Sequence, residues 1–208
     1  MKNKKERYYV CDFETTSYSF YKRNGYTKVW LYSIATENKV IKNGNSIEDF
    51  ISYIKTLKNP TIYFHNLKFD GSFIIYYLLS NGFEHKDNLR KKDPKAFSCL
   101  IGDLGEFYQI QVNFGPNNYA IFRDSLKLIP LKVKEIAKAF NLTIEKEVID
   151  YDNYEINDKT LSYIKNDVLI VNQSMEYFKA NGLTKMTIGS CAYEVYKNEN
   201  PRTYGHFS

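Results

Sequence analysis

The feature that most limits how this chain can fold is the order in which two hydrophobic periods alternate along it. Tyr8 to Phe13 is a run of aromatic and β-branched residues closing on an acid, the pattern of a buried strand. Lys28 to Thr36 and Lys39 to Lys42 read as the next two strands, turned at Glu37 and Asn38. The period then changes. Ile47, Phe50, Ile51, Ile54 and Leu57 follow Ser46 at helical spacing until Asn59 and Pro60 stop the helix. Thr61 to His65 is a short strand, and Gly71 to Asn81 a helix closed by Gly82. From Phe97 to Phe122 three strand-like runs are separated by Gly102 to Gly105 and by Gly115 to Asn118. Val133 to Phe140 is a short amphipathic helix. Asn157 and Asp158 cap a long one from Lys159 to about Asn181, whose stripe is Leu161, Ile164, Val168, Val171, Met175 and Phe178. Strands alternating with helices specify an α/β fold, here a mixed central sheet of about five strands flanked by helices. After Gly182 periodicity is lost, and the segment is expected to be a linker or a frayed end.

At 208 residues and 24.5 kDa the chain has room for one domain with a full core. Aromatic residues make up 16%, which excludes a disordered or collagen-like chain. Lys and Arg number 29 against 24 Asp and Glu, a net +5 that suits a polyanionic partner without requiring one. Cys11, Cys99 and Cys191 are scattered and form no CxxC pair, which argues against a disulfide framework or zinc ribbon and for a reducing cytoplasm. The N-terminus has no apolar core of a signal peptide, and the longest apolar run, Phe73 to Leu79, is too short to span a bilayer. Membrane anchoring is not expected.

Four carboxylates stand where apolar elements end or on a helix face that would otherwise be apolar. Asp12 and Glu14 are two apart on the first strand, so both point to one face of the sheet. Asp70 enters a helix beside Gly71, after the strand TIYFH. Tyr163 and Asp167 are four apart on the long helix, which stacks the phenol and the carboxylate one turn apart. Phosphodiester hydrolysis uses such an inventory: two hard divalent cations roughly 3.5 to 4 Å apart need several carboxylate oxygens, and a hydroxyl beside them orients water. Taken singly, each acid is more often a turn former or a cap. Their occurrence in this order, at spacings set by α/β elements, is what favours the catalytic reading.

At these positions the chain resembles the DEDDy branch of the 3′-to-5′ exonucleases, specifically the exonuclease domain of protein-primed family B DNA polymerases of Bacillus phages and linear plasmids. CDFETT at Cys11 to Thr16 is similar to the first exonuclease motif, YFHNLKFDGSFII at Tyr63 to Ile75 to the second, and YIKNDVLIV at Tyr163 to Val171 to the third. DSLKLIP at Asp124 to Pro130 and KEIAKAFNLT at Lys134 to Thr143 extend the likeness. The resemblance implies a ribonuclease-H-like fold. It makes Asp12, Glu14, Asp70 and Asp167 the ligands of two divalent metal ions, Mg²⁺ or Mn²⁺, and Tyr163 the residue that orients water. Lys146 falls where the family keeps a lysine that assists catalysis. Thr15, Tyr63, His65, Asn66, Phe69, Phe73, Ser125 and Leu126 match positions that grip the single-stranded DNA 3′ end.

The resemblance divides the chain into an exonuclease domain, residues 1–182, and a linker or tail, residues 183–208, leading toward a polymerase domain whose motifs are absent here. The expected activity is metal-dependent release of mononucleotides from a single-stranded DNA 3′ end, in the host cytoplasm if the chain is phage-encoded. A polymerase domain or chain and a terminal priming protein are the expected partners. Two rivals remain open at this point: a stand-alone exoribonuclease on the same fold, and a catalytically silent module that binds single-stranded DNA or the priming protein.

Overall fold

A computed structural model describes residues 7–144, 152 and 154–200. Its centre is one sheet of eight strands: β1 (Tyr8–Thr15), β2 (Val29–Thr36), β3 (Lys39–Gly44), β4 (Thr61–Phe64), β5 (Glu84–His85), β6 (Ala96–Ile101), β7 (Phe107–Gly115) and β8 (Asn118–Asp124). Their spatial order is β3-β2-β1-β4-β8-β7-β6-β5. β1 pairs in parallel with β4, and β4 with β8, so the three strands nearest the middle run the same way. The pairs β1/β2, β2/β3, β6/β7 and β7/β8 are antiparallel, and the short edge pair β5/β6 is parallel. The mixed α/β sheet flanked by helices is as expected. The count of about five strands is too low, because every strand-like run joins one sheet and the two-residue β5 adds an edge too short to show any period.

Alternation along β1 sorts its side chains onto two faces. Tyr9, Cys11 and Phe13 enter a core with α2 (Ile47–Ile54) and α3 (Leu67–Ser80). There Phe13, Phe50 and Phe64 meet edge to face, with Phe13 4.9 Å from each of the other two rings. Tyr8 and Val10 face the other way, into a core shared with α4 (Val133–Ala139), α5 (Asp158–Ala180) and Cys191. Asp12 and Glu14 continue that second parity, so strand geometry alone turns them toward the layer that contains α5.

Three local results differ from the sequence reading. The helix expected from Gly71 begins at Leu67, because Asn66 takes a left-handed conformation (φ 79°) and starts it one turn sooner. A helix not anticipated, α1 (Tyr18–Asn24), lies between β1 and β2. Ser17 caps it by accepting from the Phe20 N–H, and Gly25 closes it at φ 77°, but it buries no residue and so shows no apolar stripe. The segment expected to be a linker or frayed end holds α6 (Ile188–Glu199), capped by Thr187. Only Cys191 of that helix is buried, which is why hydrophobic periodicity missed it. Among the described residues no helix is long and apolar enough to cross a membrane.

Candidate active site

The carboxylates gather where β1 and β4 end. Asp12 stands opposite Ser33 of β2 and Glu14 opposite Leu31, and the register slips between Glu14 and Thr15. Such a bulge re-aims the chain at the end of a strand. α5 crosses β1 and β2 on the same side and carries Tyr163 and Asp167, 3% and 4% exposed. Tyr163 packs with Trp30, Leu31 and Ile164, beside the residue that pairs with Glu14. Asp12 and Asp167 line one cavity of about 150 Å³, together with His65 and the apolar walls of Val10, Val133, Val168 and Val171.

Asp70 arrives from the opposite layer, in the first turn of α3, and is 3% exposed. Burial pushes its carboxyl well above the ordinary carboxylate range, and the negative charges of Asp12 and then Glu14 push the same way, against the backbone N–H groups of Asp70 and Phe13. Among the described residues its Oδ1 has no hydrogen-bond partner. The buried Cys11 thiol is likewise raised, first by burial and then by the charges of Asp12 and Asp70. Three acids on two elements therefore lie within electrostatic reach of one another.

The second motif is braced from β8. The backbone N–H groups of Asn66 and Leu126 both donate to Asp124 Oδ1, each at 3.0 Å. His65 Nε2 donates to the Leu131 carbonyl at 2.7 Å, while Nδ1 lies 3.0 Å from the Ser125 hydroxyl, itself 3.1 Å from the Phe64 carbonyl. His65, Asn66, Ser125 and Leu126, separated by about sixty residues of chain, thus form one rim. Asp124 is the residue that sequence reasoning missed. It is buried at the end of β8 and caps the 3-10 turn Ser125–Lys127, a role legible only as an acid preceding Ser-Leu at a strand end.

The remaining candidates separate. Phe69 is 50% exposed and meets the half-buried Phe73 at 5.7 Å between ring centres, leaving an aromatic face toward solvent at the start of α3. Thr15 is half-buried just past the bulge. Tyr63 is only 4% exposed, its ring edge-on to Tyr8 at 5.8 Å and beneath the Lys179 ammonium, so it supports the core instead of offering a face to a base. Lys146 lies outside the described residues.

The donor set suits a hard cation: carboxylate oxygens, one of them buried without a hydrogen-bond partner among the described residues, beside the negative charges of Asp12 and Glu14. Asp12, Glu14, Asp70 and Asp167 are the residues that would hold it. Among the described residues no three His, Cys, Asp or Glu side chains are already closed into a cage.

The family model for "DNA polymerase type B, organellar and viral" matches residues 51–155. The DNA polymerase of Bacillus phage phi29 is 35% identical over 95% of this chain and 35% of its own length. That of Bacillus phage PZA is 36% identical over 91% of this chain and 34% of its own. In three dimensions, phi29 DNA polymerase complexed with single-stranded DNA superposes with a TM-score of 0.84 at 32% identity, covering 96% of this chain and 36% of that one. The chain spans about a third of the length of the curated relatives it matches. The ribonuclease-H-like fold implied by the motifs is the fold present.

Proposed function

The chain belongs to the organellar and viral type B DNA polymerases, and from that membership we propose that it is the proofreading-type 3′-to-5′ exonuclease of a protein-primed member. The observation that carries the reading is Asp70: a carboxylate 3% exposed, with one oxygen that has no hydrogen-bond partner among the described residues, set against the charges of Asp12 and Glu14. A chain keeps so costly an arrangement where a cation or a reaction requires it.

Asp12, Glu14, Asp70 and Asp167 are proposed to hold two divalent ions, Mg²⁺ or Mn²⁺. When bound, these ions supply an activated water and stabilise the leaving 3′-oxygen. Tyr163, one turn from Asp167 and fixed among Trp30 and Leu31, orients that water toward the terminal phosphorus. Hydrolysis adds water across the last phosphodiester, releasing a mononucleotide and leaving a new 3′-hydroxyl on the shortened strand. The rim of His65, Asn66, Ser125 and Leu126 holds sugar and phosphate, and Thr15, Phe69 and Phe73 border the terminal base. Lys146 offsets charge on the phosphate. Residues 1–182 form the exonuclease unit, and residues 183–208, α6 included, lead toward a polymerase part. That part and a terminal priming protein are its partners, in the cytoplasm of the host cell.

Digestion of a 5′-labelled single-stranded DNA oligonucleotide tests the reading. With Mg²⁺ or Mn²⁺ a ladder shortening from the 3′ end is expected, absent with EDTA and absent in Asp12→Ala at unchanged circular dichroism. Degradation of RNA in preference to DNA, DNA binding without any shortening, or an active Asp12→Ala would each overturn it.

A further inference from the structure

A second surface, outside the acidic site and its rim, is formed by α1. Residues 17–28 contain Lys22, Arg23 and Lys28, the aromatics Tyr18, Phe20, Tyr21 and Tyr26, and no Asp or Glu. α1 starts four residues after Glu14, which places Tyr18 within about 14 Å of the acidic site along the chain. The helix is held in place. Ser17 Oγ lies 2.8 Å from the Tyr154 hydroxyl and donates to Asp152 Oδ1, and Phe20 turns inward, 5.5 Å from the rings of both Tyr26 and Tyr154. Tyr154 in turn packs in the cluster that contains Tyr163.

With Phe20 spent on anchorage, the other rings face solvent. Tyr18 is 69% and Tyr21 46% exposed; the two stack at 6.1 Å and 18°, and the Lys22 ammonium sits 4.8 Å over Tyr18. Exposed flat rings interleaved with cations, on an element fixed beside a site for a 3′ terminus, match single-stranded nucleic acid: rings stack on bases of any sequence while cations track phosphates. A protein partner of acidic character would use the cations but leave the paired rings unexplained.

We infer that α1 is a second binding surface for single-stranded DNA, taking nucleotides upstream of the terminal one, with Tyr18 and Tyr21 stacking on bases and Lys22 and Arg23 contacting phosphates. This rests on the reading of the acidic site as one for a DNA 3′ end. The consequence is length dependence: oligonucleotides that reach α1 bind more tightly than those filling only the terminal subsite.

The test is equilibrium binding, by fluorescence anisotropy in EDTA, of a dT12 and a dT3 oligonucleotide to the full chain. The wild-type protein is expected to favour dT12, and Tyr18→Ala/Tyr21→Ala to lose at least about fivefold of that preference, since each base stack is worth that or more. Lys22→Ala/Arg23→Ala is expected to flatten the slope of log affinity against log salt by roughly 0.7 for each phosphate that the variant no longer neutralises. Tyr76→Ala, on the outward face of α3 and 74% exposed, is the control and keeps the preference. A wild-type protein indifferent to length, or a double-tyrosine variant with the wild-type ratio, overturns the inference. So does a concentration-dependent dimer that the tyrosine substitutions abolish. If dT12 is bound through α1 but never shortened with Mn²⁺, the surface stands and the exonuclease reading falls.

Discussion

Replacing Asp70 by Asn is expected to stabilise the metal-free protein. Asn has the same shape, keeps an oxygen for the backbone N–H groups of Asp70 and Phe13, and removes a negative charge held against Asp12 and Glu14. A buried group without a partner costs about 1–3 kcal/mol, and more when charged; the Asn amide keeps the neutral cost where Oδ1 stood, so the gain is the excess due to charge, on the order of 1 kcal/mol. For a chain of this length each 1 kcal/mol moves Tm by roughly 2–4 °C, so Asp70→Asn should melt about 2–4 °C higher at pH 8 in EDTA. The sign of the pH dependence follows from the raised carboxyl. The folded state holds this proton more tightly than the unfolded state, so the side chain's contribution is most favourable below the ordinary carboxylate value of 3.8. It is lost as pH climbs from there to the raised value. The advantage of Asp70→Asn over wild type should therefore shrink as pH falls toward that ordinary value. Mn²⁺ should reverse the order: at 100 times Kd a bound ion stabilises wild type by about 2.7 kcal/mol, and the variant, one ligand short, gains less. Thermal melts at several pH values, with EDTA or Mn²⁺, measure all of this. An Asp70→Asn protein less stable than wild type at pH 8 in EDTA, or an equal gain from Mn²⁺ in both, would refute the reasoning.

Tyr163→Phe should fold normally, since its ring packs with Trp30, Leu31 and Ile164, and should lower the hydrolysis rate by about 10²-fold or more; an unchanged single-turnover rate on labelled single-stranded DNA would remove the phenol from the chemistry. Phe50→Ala should cost about 3–5 kcal/mol, because the ring is fully buried against Phe13, Phe64 and Tyr32 and leaves a cavity no neighbour can fill. Urea unfolding reads that loss directly.

What the residue pattern alone determined was local in origin. The period of two in YYVCDF and TIYF and the helical stripe after Asn157 placed β1, β4 and α5, because side-chain direction follows from backbone geometry within a single element. For the same reason Asp12 and Glu14 were assignable to one face of a strand, and Tyr163 and Asp167 to one face of a helix, without knowing what lay opposite. α1 and α6 escaped because each buries almost nothing and owes its helix to Ser17 and Thr187 caps. Only the folded chain decided the rest. Whether an aromatic faces a base or the core depends on what packs over it: Tyr63 lies under Tyr8 and Lys179, whereas Phe69 is half open, though both belong to one motif. Asp124 gathers the N–H groups of Asn66 and Leu126, a bond across about sixty residues of chain that no spacing announces. The charge state of Asp70 is likewise a tertiary property. Desolvation and repulsion arise when α3 and β1, more than fifty residues apart in sequence, bring their carboxylates together in an interior where water no longer screens them.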